Sequence, residues 1–83
     1  MPFRLAKIFL GEIPLEAWFD IEQKTPNSRK NYVINIKIDE KTKSIFGNLR
    51  GDEPLAFHGE LIDSEEEFFL SVITPNQYLF INK

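Results

Sequence analysis

The chain has no cysteine among its 83 residues. That excludes a disulfide framework and any thiol chemistry. Histidine occurs once, as His58. A catalytic triad or a His-based metal site would have to be built around that one side chain. Glycine-rich phosphate loops are missing, and no Cys/His spacing matches a metal site. No apolar run approaches the length of a membrane span. The opening MPFRLAKIFLG carries Arg4 and Lys7 inside its short apolar run. It lacks a small-residue cleavage pattern, so it does not read as a signal peptide. The expected location is cytoplasmic.

The length implies one domain spanning 1–83. A chain this short hides only roughly 60–65% of its unfolded surface, so burying a further face against a partner would help it. The net charge of −3 conceals an asymmetry. Residues 1–50 carry nine Lys and Arg against six acids, a net +3, and residues 51–83 carry one against seven, a net −6. Charge separated in this way can orient a partner.

Period-two alternation dominates the pattern, and it is the mark of half-buried strands. Phe3–Leu10 reads as a first strand, apolar on both faces, broken at Gly11–Pro14. Leu15, Ala17, Phe19 and Ile21 alternate with Glu16, Trp18, Asp20 and Glu22, which places Trp18 on the charged face. Pro14 and the spacing of Leu15, Trp18, Phe19 and Glu22 leave a short helix at 14–23 as the alternative. Lys24–Asn31 is a loop. Tyr32, Ile34, Ile36 and Ile38 mark the cleanest strand, followed by a charged connection at 39–43.

Further strands are expected from Ser44 to Gly51, Leu55 to Ile62 and Phe68 to Thr74. Turn chemistry at Gly51–Pro54 sets a register in which Gly47 faces Gly59. That leaves a gap for a bend or a ligand. Pro75 excludes the tight primed turns, so a four-residue loop from Thr74 to Gln77 should pair Ile73 with Tyr78 and Val72 with Leu79. The expected fold is all-β: a small antiparallel meander of six or seven strands forming a barrel or a strongly bent sheet. The alternative is α+β, with the helix at 14–23.

Chemistry is sparse. His58 shares a strand face with Glu60 and, across the expected hairpin, with Asn48, yet no second base or nucleophile accompanies it. The acidic run Asp63–Glu67 lacks calcium-loop spacing and reads as a solvated turn. No catalytic residue, metal or cofactor is expected, and the chain does not read as an enzyme. Lys24, Arg29, Lys30, Lys37, Lys41 and Lys43 make a candidate basic patch, and nucleic-acid binding through it ranks third among the functional readings. Second is a small barrel that holds an apolar ligand in the glycine gap.

The leading reading is a non-catalytic protein-binding module. Parity puts Phe69, Ile73, Tyr78 and Phe80 on the face opposite Phe68 and Leu70, and Trp18 adds a further exposed aromatic. These five are the expected interface, with another protein chain as partner, most simply a second copy.

Overall fold

The structure, a computed structural model, describes residues 4–62 and 66–82. It is mostly antiparallel sheet, curled into a half-barrel, with one short helix. The elements are β1 (Arg4–Leu10), β2 (Ile13–Glu22), β3 (Asn31–Lys37), α1 (Glu40–Phe46), β4 (Phe57–Gly59), β5 (Phe68–Ile73) and β6 (Gln77–Asn82). The six strands lie in the order β4-β1-β2-β3-β6-β5. The strongly bent all-β sheet expected from the alternation is the observed fold. The strand β2 occupies this place, so the helical alternative at 14–23 falls away.

A two-residue turn joins β1 to β2, closed by the Leu10–Ile13 pair. Gly11 sits there at φ 62°. A tight hairpin turn matches the twist of its strands only with positive φ, which a residue without Cβ adopts freely. The ladder then runs unbroken from Leu10–Ile13 to Arg4–Phe19. Inward, β1 and β2 place Ile8, Leu15, Ala17 and Phe19, and β3 adds Tyr32, Ile34 and Ile36, all buried.

The largest departure from the sequence reading is α1. Residues 40–46 are helical where a charged connection and the start of a strand were expected. The cause is local. Asp39 caps the helix by accepting from the Thr42 amide at 2.9 Å, while the Asp39 amide donates to Thr42 Oγ1 at 2.8 Å. This reciprocal box satisfies helix-start donors that a strand would leave to pairing. The Thr42 amide also holds the Asp39 carboxyl below the ordinary carboxylate range. Thr42, Ile45, Phe46 and Leu49 then lie at helical spacing on the core side.

Phe46 is the plug that this helix delivers. Its ring centroid lies 5.1 Å from Phe80, 5.5 Å from Tyr78 and 6.3 Å from Phe57. Phe57 in turn meets Phe80 at 5.2 Å and Phe68 at 5.5 Å, and Tyr32 meets Phe68 at 5.9 Å. These tilted and edge-on contacts are the arrangements that aromatic quadrupoles favour.

The expected glycine gap does not form. Gly47 ends α1, and a Cβ there would lie 2.5 Å from the Lys43 carbonyl oxygen. Gly59 belongs to β4, opposite Ile8 of β1. The two never face each other, because the helix takes the residues that would have formed the facing strand.

Residues 55–59 tie the two edges of the curled sheet together. Phe57–Gly59 pair with β1, while Leu55 exchanges two backbone hydrogen bonds of 2.8 Å with Phe68 of β5. On β5 itself, Leu70 faces Phe80, yet Val72 faces Leu79, so Ser71 is an extra residue in the ladder. Such a bulge shifts every later side chain by one position.

Candidate functional site on the outer face of the sheet

The bulge decides which side chains face out. The expected turn pairs, Ile73 with Tyr78 and Val72 with Leu79, are present. Beyond Ser71 the parity is reversed relative to the simple alternation. Tyr78 and Phe80, expected at an outer interface, are therefore core residues at 5% and 0% exposure. Their neighbours Leu79 and Ile81 face outward in their place, and Val72, expected inside, is exposed. The other three expected interface residues stay outside the buried core. Trp18 is exposed and Phe69 half-buried on the outer face, whereas Ile73, paired with the core residue Tyr78, is exposed on the opposite side of the sheet.

Pairing aligns these side chains in rows across the strands. One row runs Leu5–Trp18–Asn35–Leu79–Val72 through five strands. The row below it runs Asp20–Val33–Ile81–Phe69. Above it, Lys7 faces Glu16, and one row further Phe9 faces Pro14 on one side and His58 on the other. Among the described residues, six large hydrophobics are exposed: Leu5, Phe9, Ile13, Trp18, Val72 and Ile73. By register Ile13 and Ile73 lie on the other side of the sheet, and three of the remaining four, Leu5, Phe9 and Trp18, belong to the β1–β2 hairpin, which singles that hairpin out as the apolar centre of the outer face. Leu5 and Phe9, outside the expected interface, share one face because they alternate with Ala6 and Ile8.

The six cations of the expected basic patch do not come together. Lys24, Arg29 and Lys30 lie in the β2–β3 loop, whereas Lys37 ends β3 and Lys41 and Lys43 lie on α1 beyond it. A seven-residue strand separates the groups by about 20 Å. Within the first group, Arg29 is paired with Glu66, which raises its pKa. In the second, Lys41 Nζ donates to the Pro14 carbonyl at 2.6 Å. That contact spans a notch of about 380 Å³ between β2 and β3, which opens where their ladder stops at Trp18–Asn35. Lys7, Lys37, Glu16 and Asp39 also line it. Cations and carboxylates alternate there, so no single charge dominates.

His58 is exposed on β4, and Asn48 follows α1, so the His58–Asn48 juxtaposition expected from the hairpin is not formed. Among the described residues no group of three metal-ligating side chains occurs. Positions 63–65 of the acidic run lie outside the described residues. Among the described residues, no helix is long and apolar enough to cross a membrane.

Comparison with protein-family models, with characterised proteins and with solved structures finds no match to this chain.

Proposed function

We propose that the protein is a non-catalytic interaction module that binds another protein chain through the outer face of β1 and β2. One observation carries this reading. The interior is filled by close aromatic packing, yet Leu5 and Trp18, directly opposed in the ladder, are 53% and 43% exposed. About half of each side chain remains to be covered, so burying each on a partner would contribute on the order of 1 kcal/mol. Aromatic side chains presented on a rigid ladder are the usual anchors of interfaces, since little rotamer freedom is lost on docking.

A photoreactive cross-linker tests the site when it replaces Trp18 and, as a control, exposed Glu53. The expected result is a covalent protein adduct from position 18 at several times the yield from position 53. Equal yields at the two positions would remove the reading.

A further inference from the structure

We infer that the partner at this face is a second copy of the chain. The two copies seat hairpin on hairpin, with the two-fold axis parallel to the strands and midway between β1 and β2. This rests on the interaction-module reading above and names its partner.

The register carries the argument. A two-fold axis in that place exchanges the members of each cross-strand pair. Leu5 is opposite Trp18, Lys7 opposite Glu16 and Phe9 opposite Pro14. After the exchange, Leu5 lies over Trp18 of the second copy, Lys7 over Glu16 and Phe9 over Pro14. Two rows then join apolar to apolar, and the row between them joins opposite charges. Among the described residues neither Lys7 nor Glu16 is held in an ion pair. Both are free to form one across the axis.

Other axes fit less well. A two-fold axis along the Leu5–Trp18 row would set the row of Glu16 over the row of Asp20, which places like charges together. Curvature selects the same solution as charge. The sheet is curled across its strands, so its outer face is convex in that direction. Two such surfaces meet along a line parallel to the strands. The hairpin is narrow, so the contact belongs to the small, weak class of interfaces, with less than about 1,200 Å² buried in total.

Sedimentation equilibrium from about 10 μM to 1 mM, the range in which a small interface associates, tests the arrangement. The variants are Lys7→Glu, Glu16→Lys and the two together, with circular dichroism confirming the fold of each. Wild type is expected to form a dimer. Each single reversal places two like-charge contacts at the axis and should weaken association at least about tenfold. The double swap restores opposite charges and should recover the wild-type constant to within about threefold. Should a charge reversal unfold the chain, Leu5→Ser gives the same readout, because Leu5 is exposed. A wild type that stays monomeric across the range would overturn the inference. So would a dimer that neither the charge reversals nor Leu5→Ser affects. An adduct at position 18 whose mass exceeds the chain by something other than a second copy would overturn the inference while leaving the interaction module standing.

Discussion

The two outer hairpins of this sheet began from the same kind of sequence signal and ended differently. In β1–β2 a two-residue turn feeds an unbroken ladder, and side chains stand on the faces that their alternation specifies. In β5–β6 the turn is also as the sequence implies, since Thr74 N donates to the Gln77 carbonyl at 2.9 Å. There the extra residue Ser71 intervenes, and Phe80 and Tyr78 enter the core while Leu79 faces out. Period two carries no memory of absolute face, so one unpaired residue reverses everything beyond it. A bulge also suits an edge strand, because it bends the strand away from further pairing.

The comparison breaks most sharply at Phe80. Phe80→Ala removes a fully buried ring that meets Phe46 and Phe57, and should cost about 3–5 kcal/mol in chemical denaturation. Val72→Ala on the other strand, half exposed, should cost less than about 1 kcal/mol. Similar costs for the two would mean that the bulge has been misplaced.

A smaller effect is expected in the unbroken hairpin. Gly11→Ala forces a Cβ into the left-handed region and should lower stability by about 1–2 kcal/mol. The space around that position is open, so the backbone is the whole cause. An unchanged melting temperature would show that the turn can adopt another conformation.

Deleting Ser71 should be milder still. The deletion removes the bulge but preserves both facing pairs, Leu70–Phe80 and Val72–Leu79, so the loss should stay under about 1 kcal/mol. Deleting Leu70 instead lets Ser71 take its place opposite Phe80, which keeps the faces but loses a buried leucine and should cost about 2–5 kcal/mol. Amide hydrogen exchange on β5 and β6 separates the two outcomes. Equal protection in both deletions would refute this difference.

The smallest effect concerns pH. Asp39 has its carboxyl pKa lowered in the folded chain, chiefly by the Thr42 amide. Its contribution to stability is therefore present above the unfolded pKa and lost as pH falls through the folded value. Asp39→Asn keeps a capping acceptor but cannot titrate. The variant should match wild type near neutrality and lose less stability than wild type below about pH 4. Parallel acid-denaturation curves for the two proteins would show that the cap does not couple to pH.

Much of the fold could be read locally. Strands β1, β2 and β3 follow from alternation, although the break expected at Gly11–Pro14 is confined to Gly11 and Glu12, with Ile13 and Pro14 already paired in β2. Alternation also puts Trp18 on the outer face, since its neighbours Ala17 and Phe19 face in. The helix is the element that alternation conceals. Its capping box, Asp39-x-x-Thr42, was present in the sequence, but the alternation around Gly47 and Leu49 pointed to a strand. What decided between them was Phe46, which finds Phe57, Tyr78 and Phe80 only when 40–46 coils over the end of the half-barrel. Those partners are distant in sequence, so no local pattern announces them.

By itself, then, the sequence determined that this chain forms an antiparallel sheet, where its first hairpin turns and which residues of β1–β3 face the core. Local sterics and period-two burial suffice for these. The tertiary structure alone decided the helix at 40–46, the strand order that brings β6 beside β3, and the exchange of Phe80 for Leu79 on the outer face. Each of these depends on contacts between residues far apart in the chain. Their entropy cost is met only when the whole interior closes at once.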